Sequence, residues 1–547
     1  MLAGIPLLFL GIFFFYPLTR ILVYSFLPGA VGQTNGIWDI LSRGLVVHTL
    51  WFTCWQAAAS TVLTLLLGLP GAYVFARFSF AGKRLLSALT TIPFVLPTVV
   101  TASAFRALLG PRGLVNTFCV DALGFDSAPV QIDQTVWFFL LAHVFYNTTL
   151  VLRMVGGFWS NLDPRLAEAA EMLGAGRWAV FRKVTLPLLG PVIWSSALLV
   201  FTFCFTSFGV ILILGGPGYA TIEVEIYRQA VQLFNLPVAA TLSLLQIAFS
   251  FCLLWCYTWL SRRTSIAMNT DSASRTQQRP RTLSQRLLVG GTLVFLILLL
   301  GSPLAALVVR SFTTDGGLSP AYYLALFHQQ SRSVFFVPPI TAVANSVGFA
   351  CVAMLMAVLL GGLAAYYLAS PKATGGTLLD ALLMTPLAVS AVTLGFGYII
   401  TLNRPPLNLR DSLALVPLAH TVVAFPFVVR CLLPSLRRIP GELRQAAAML
   451  GASPVRVWLR VDLPLAGRAV LAAAVFAFSV SMGEFGASSF VARPHTPTLP
   501  VAIYRFLGQP GSLNYGQAMA MSVVLMLVTG AGFLLLEKLR TGMTGDF

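Results

Sequence analysis

Apolar stretches long enough to cross a bilayer recur along this chain, and no other feature limits its fold so tightly. A helix of about 20 apolar residues satisfies its backbone hydrogen bonds within one segment, as hydrocarbon demands. A window of about 19 residues delimits the candidates. There are twelve, at 3–27, 50–76, 86–109, 135–158, 189–214 and 239–261 in the first half, and at 287–310, 342–370, 378–402, 412–433, 467–491 and 515–536 in the second. Composition agrees, because 57% of the 547 residues are hydrophobic and only 10% charged, against about 25% charged in an average soluble domain. A small soluble enzyme, a disulfide scaffold and a disordered chain are excluded. An all-α polytopic membrane protein remains. The seven cysteines, odd in number and mostly within apolar runs, give no disulfide framework. Cys252 and Cys256 lie one helical turn apart but have no neighbouring ligand to complete a metal site. The first residues lack the basic start of a cleavable signal, and their abrupt apolar beginning points to a start codon upstream.

Lys and Arg outnumber Asp and Glu by 35 to 18, a formal charge of +17. In a soluble protein such an excess would hint at nucleic acid; here it reads as membrane topology. Arg77, Lys83 and Arg84 follow span 2, and Arg165, Arg177, Arg182 and Lys183 follow span 4. Arg437, Arg438, Arg444, Arg456 and Arg460 follow span 10. A polar stretch between the halves, 262–286, carries Arg262, Arg263, Arg275, Arg279 and Arg281 against Asp271 alone, the texture of a flexible linker. These segments share one side, so both termini and the linker are expected in the cytoplasm, with the chain multi-pass in the inner membrane. The opposite loops hold Asp39, Asp121, Asp126, Asp133, Glu223 and Glu225. Arg20, near the outer end of span 1, is an exception that can snorkel.

The halves are copies of each other. Residues 1–261 and 287–547 each carry six spans, and an offset of 277 pairs Gly174 with Gly451, Leu186–Pro187 with Leu463–Pro464, and His143 with His420. It also pairs Arg153 with Arg430, Phe208–Gly209 with Phe485–Gly486, and Ile226–Tyr227–Arg228 with Ile503–Tyr504–Arg505. Upstream the offset is 293, pairing Pro93 with Pro386; the long loop 110–134 against the short loop 403–411 accounts for the change. Six spans per copy give both copies the same orientation, a parallel repeat about an axis along the membrane normal. A pathway between the halves follows from that symmetry.

The loop after span 4 recurs with more detail than a connector needs. In the first copy, 163–187, Asp163–Pro164 opens a short helix as cap and first-turn proline. Leu166, Ala169, Ala170 and Leu173 line one face, Gly174 ends the helix, and a second basic amphipathic helix runs to Leu186–Pro187. The second copy is 440–464. A lone helix of this kind could rest in lipid headgroups; its repetition at one topological place favours a protein-docking surface. Glu168–Ala169–Ala170, Gly174 and Leu186–Pro187 resemble the EAA motif of binding-protein-dependent ABC import permeases, with a degenerate second copy in Gln445–Ala446–Ala447, Gly451 and Leu463–Pro464. Gln445 departs from the glutamate common in that family, and Glu442 could substitute one turn earlier. Two fused halves, with the segments from Phe203 and Ser481, resemble the ferric-iron and thiamine permeases of that family.

The resemblance implies a type I importer permease fold in which these loops dock two copies of a separate ATPase. It also implies that an extracytoplasmic binding protein delivers a small solute, ferric iron first and thiamine second. ATP and Mg would belong to the ATPase, this chain itself binding no cofactor; indeed it has no phosphate-binding GxxxxGK[ST] pattern. Ser207, Phe208, Gly209, Glu484, Phe485 and Gly486 are the pathway candidates. Glu484, the clearest intramembrane acid, reads either as a cation-attracting gate or as a buried acid bonding backbone at a helix break. Glu223, Glu225, Tyr227, Arg228, Tyr504 and Arg505 are outer-lip candidates, with a plain solvated loop as the alternative for the first four. His143 and His420 suggest a metal pair at first sight, but read better as packing hydrogen bonders; Arg153 and Arg430 read as snorkelling or capping residues. No metal site is expected. The rival reading, a secondary transporter of the major facilitator type, wants an Asp-containing motif after span 2, where RFSFAGKRL has none, and coupling acids in several spans.

Overall fold

The computed structural model describes residues 4–26, 40–42, 44–163, 165–263, 277–314, 316–328, 337–370, 376–403, 405 and 407–544. Asp39, Pro164, Asp271 and Arg275 lie outside the described residues. The described chain is helical apart from a two-stranded hairpin, Thr313–Thr314 with Gly317–Leu318, and two isolated bridges.

Among the described residues ten helices are long and apolar enough to cross a membrane. Spans 1, 2, 4, 5 and 6 are Gly4–Phe26, Gly44–Arg77, Val136–Ser160, Arg177–Phe205 and Leu236–Ser261. Spans 7, 8, 10, 11 and 12 are Leu283–Phe312, Ile340–Ala369, Leu415–Arg438, Pro454–Gly483 and Ser512–Leu535. The third span of each half departs from the straight helix expected. Leu85–Val95 and Thr98–Leu123 meet at 106°, and Leu378–Ala388 and Ala391–Thr401 at 92°. Counted as bent spans they complete the twelve. In the first half the cause is Pro97, which cannot continue a helix and forces Leu96 into extended backbone (ψ 138°). In the second, Val389 is extended and Ser390 restarts the helix by accepting the Thr393 amide. The breaks fall at equivalent repeat positions, 97 and 390.

Spans 5 and 11 are displaced from their sequence expectation. Each begins well before the Leu–Pro pair and ends earlier, at Phe205 and Gly483, with the helices Gly209–Leu214 and Ser488–Val491 standing apart. The second helix of each repeated loop motif therefore runs straight into its span. It does so through one wide helical turn, Phe181–Thr185 and Trp458–Asp462, in which the Leu186 and Leu463 amides reach back five residues to Phe181 and Trp458. Pro187 and Pro464 follow; with no N–H to give and a ring that crowds the preceding turn, they fit where the ladder is already widened.

The repeats do not pack as two separate bundles. Phe9, Leu10 and Phe14 of span 1 share a core with spans 8, 10 and 11, and Gly397 in span 9 leaves room for Pro17 and Ile21 of span 1. Reciprocally, Leu296, Leu300, Ala306 and Leu307 of span 7 belong to the core of the first half. Each half thus lends its first helix to the other. The described end of the linker, from residue 277, is held in place too. Gln278 pairs with the segment after span 2 through its bonds to Arg77 and Ser79, and a Thr282–Gln285 capping box then starts span 7.

Candidate functional site

Two regions answer to the sequence candidates, one at each end of the spans numbered 5 and 11. At their starts, the helices Arg165–Met172 and Gly441–Met449 bury no residue. Asp163 Oδ1 accepts the Arg165 amide at the opening of the first. Both helices close alike: Gly174 and Gly451 take φ of +83° and +81°, and Ala175 and Ala452 donate back to the Ala170 and Ala447 carbonyls at 3.1 and 3.0 Å. Open space surrounds both glycines, so the demand for Gly is conformational rather than steric. Glu168, Ala169, Gln445, Ala446 and Glu442 are exposed; Ala170 and Ala447 are half-buried. Leu186, Pro187 and Pro464 are exposed at the wide turns, and Leu463 is half-buried.

The most exposed apolar side chains here are Met172, Leu173, Met449 and Leu450, at 88–89%. They form equivalent pairs immediately before the two elbows, and three of them escaped the sequence reading. The signal was available, since each lies at the 277 offset from its counterpart in an otherwise charged helix. Four bare apolar side chains at that exposure mark a surface built to be covered.

At the other ends of spans 5 and 11 lies a cavity of about 530 Å³ between the halves. All six pathway candidates, Ser207, Phe208, Gly209, Glu484, Phe485 and Gly486, line it. Phe208 and Phe485 stack across the pseudo-symmetry axis with centroids 5.3 Å apart and planes 26° apart. Tyr227 stands edge-on to Phe208 at 5.6 Å and Tyr504 to Phe485 at 5.5 Å. These four rings, the aromatic seal, form one cluster at the place where Phe208 and Phe485 line the cavity. The rest of its lining, Thr202, Phe203, Ser250, Leu254 and Phe427 among it, lies along the spans towards the elbow helices. Both span breaks frame it through Leu96, Thr98, Val389 and Ser390, which is where a membrane protein tolerates irregular backbone. A Cβ on Gly209 would fall 2.4 Å from Thr98 Oγ1, and one on Gly486 3.1 Å from Ala391 Cβ, so these glycines let the breaks approach the seal.

The short helices Ile222–Tyr227 and Leu499–Leu507 hold the tyrosines. Thr53 of span 2 accepts the Ile222 amide at 3.0 Å, and Ser346 of span 8 accepts the Leu499 amide at 2.7 Å. Both pairs are related by the repeat. On the first of these helices Glu223 and Glu225 are only 2% and 4% exposed, against the solvated lip of the sequence alternative. Glu223 lines the cavity and accepts from Gln246 Nε2 at 3.0 Å. Glu225 accepts from Gln229 Nε2 at 2.7 Å and faces Arg228 at 3.8 Å. Arg228 also donates to the Gly216 and Pro217 carbonyls, and half-buried Arg505 sits within electrostatic range of both tyrosine hydroxyls.

Glu484 sits at the helix break that ends span 11. It lines the cavity, and its oxygens accept the Ala487 and Ser488 amides at 3.0 Å each, capping the helix after the break. His420 Nε2 is 3.5 Å away. Both histidines are buried and doubly bonded: His143 to Ser60 and Ser207 at 2.8 and 2.9 Å, His420 to Ser481 and Ser488 at 2.7 and 2.8 Å. Among the described residues no group of three His, Cys, Asp or Glu side chains is placed to hold a metal ion. Arg153 donates to the Thr91 hydroxyl, tying span 4 to the bent span 3. Ser390, Ser250 and Tyr146 reach the cavity from separate spans, and nothing in their local sequence marks them.

Residues 64–266 match the family described as binding-protein-dependent transport system inner membrane component. Similarity to named proteins extends over both halves. The thiamine transport system permease protein ThiP of Escherichia coli (strain K12) is 27% identical over 93% of this chain and 90% of its own length. ThiP of Salmonella typhimurium is 26% identical over 94% and 93%, and the ferric transport system permease protein FbpB of Actinobacillus pleuropneumoniae 25% identical over 94% and 75%. By these matches the chain resembles, over both of its halves, the two-unit permeases of binding-protein-dependent transport systems, and residues 64–266 carry that family's inner membrane component.

Proposed function

We propose that this chain is the translocating subunit of an ABC importer for a small solute, thiamine or ferric iron by analogy with its relatives, with both termini in the cytoplasm. The observation that carries the reading is the pair of exposed elbow helices, alike in backbone and in their bare Met–Leu tips. Two copies of an ATPase would dock there, one per half, bringing ATP and Mg. An extracytoplasmic binding protein would meet the opposite face, beyond the aromatic seal. Closure of the ATPases would draw the elbows together and part the Phe208–Phe485 stack. The chain itself then needs only different affinities of its partners for the two states.

The test is co-purification of the full chain with its ATPase from membranes, followed by ATPase assay in nanodiscs with and without binding protein. Recruitment of the ATPase and stimulation by loaded binding protein are expected. A chain that recruits no ATPase would end the reading.

A further inference from the structure

The cavity behind the aromatic seal is acidic in a lopsided way. Glu223 comes from the first half and Glu484 from the second, yet their repeat counterparts are Pro500 and Ser207. Among the described residues no Lys, Arg or His lines the cavity. Two carboxylates in one low-dielectric space oppose each other's charge, which a proton or a bound cation relieves. Ser250 supplies an independent sign of an occupant: it lines the cavity, is 6% exposed, and its hydroxyl has no hydrogen-bond partner. An unpaired buried hydroxyl is costly, and a ligand's polar group would satisfy it.

The walls say what kind of cation. Phe94 and Phe203 meet edge to face at 5.9 Å, and both are more than a third exposed, at 39% and 38%. Phe427 adds a third ring to the lining. Open aromatic faces attract a diffuse positive charge and pack against a flat ring. A hard metal ion asks instead for several converging oxygens. Here only two carboxylates line the cavity, and both Glu484 oxygens already accept backbone amides. The volume of about 530 Å³ lies within the range of small-molecule sites.

We propose that this cavity is a transient binding site for a flat organic cation, with Glu223 and Glu484 balancing its charge, the phenylalanines packing its ring and Ser250 bonding a polar substituent. The site rests on the permease reading, and it favours an organic cation over ferric iron as cargo.

The full complex in nanodiscs, free of nucleotide and binding protein, is titrated with radiolabelled thiamine as the probe. Saturable binding is expected, displaced neither by ferric citrate nor by thiochrome, the flat uncharged oxidation product of thiamine. Glu223→Gln and Glu484→Gln should each weaken it about tenfold or more, and Ser250→Ala less. Because Glu484 also caps a helix, Glu223→Gln and Ser250→Ala are the variants that keep the test independent of folding. Absence of saturable thiamine binding, equal displacement by thiochrome or ferric citrate, or unchanged affinity in Glu223→Gln would each overturn the site. ATPase recruitment is scored in the same preparations, so a failed site and a failed permease reading give different results.

Discussion

The two elbow helices close through the same backbone geometry, but they are fastened differently. In the second half Arg444 donates through Nε to Asp462 at 2.7 Å and also reaches the Leu436 carbonyl. Asp462 is fully buried in the wide turn that leads into span 11. The first half has Ala167 and Thr185 at these places, so no such bolt is possible. The backbone devices, by contrast, are the same in both halves: a glycine with positive φ, then a wide turn, then Leu–Pro. After duplication, the features that fix chain direction have few substitutes, because only glycine enters the left-handed region cheaply. Side-chain fastenings have many substitutes and have diverged. The cavity repeats the lesson, since its four-ring seal is symmetric while its carboxylates are not.

Experiments can break this comparison in order of expected effect. Replacing Gly174 and Gly451 together with Val should abolish co-purification of the ATPase while membrane insertion persists. Each β-branched residue at positive φ costs about 1–2 kcal/mol or more, enough to redirect both Met–Leu tips. Retained complex would show that the elbows are not what the ATPase reads.

Asp462→Asn should come next, because leaving one member of a buried ion pair alone costs about 3–5 kcal/mol, with the lower end expected for a partly exposed arginine. Thermal unfolding of the purified chain measures it. Arg444→Ala with Asp462→Thr rebuilds the second half in the image of the first and should recover most of that loss. If the double variant is worse than Asp462→Asn, the pair does more than fasten the elbow.

Phe208→Ala and Phe485→Ala probe the symmetric seal. Both should raise leak of small solutes through proteoliposomes without ATP, and by similar amounts, each truncation costing the stack about 0.5–1.5 kcal/mol beyond its buried area. A leak in only one variant would mean that the seal shares the asymmetry of the acids. The smallest effect is expected from Gln445→Glu, which restores the motif of the first half: a change in ATPase affinity of about threefold or less, as suits an exposed charge. It should vanish at high salt.

Much of this was legible because it was written twice. Gly174 and Gly451, Leu186–Pro187 and Leu463–Pro464, and Phe208 and Phe485 stood out by recurring at one offset, and each shapes backbone or seal. The breaks in spans 3 and 9 were half legible. Pro97 announces the first, whereas Ser390 carries no such mark, and an apolar window averages across both. The burial of Glu223 could not be read locally, since it depends on Gln246 from span 6 and on the opposite half closing over it. The fastening of Arg444 to Asp462 was equally silent, because it joins residues 18 positions apart across an elbow whose angle is known only once folded.

The crossing-over of spans 1 and 7 bears on how the chain is made. Span 1 leaves the ribosome long before spans 8 to 11, against which Phe9, Leu10 and Phe14 finally pack. It must therefore wait in the bilayer with its final partners unsynthesised, held in place by the topology of its flanks. The first half is likewise incomplete until span 7 arrives. Neither unit can mature alone, which ties biogenesis to the fused polypeptide: a chain cut in the linker would leave two fragments that must each surrender a helix to the other before either is finished.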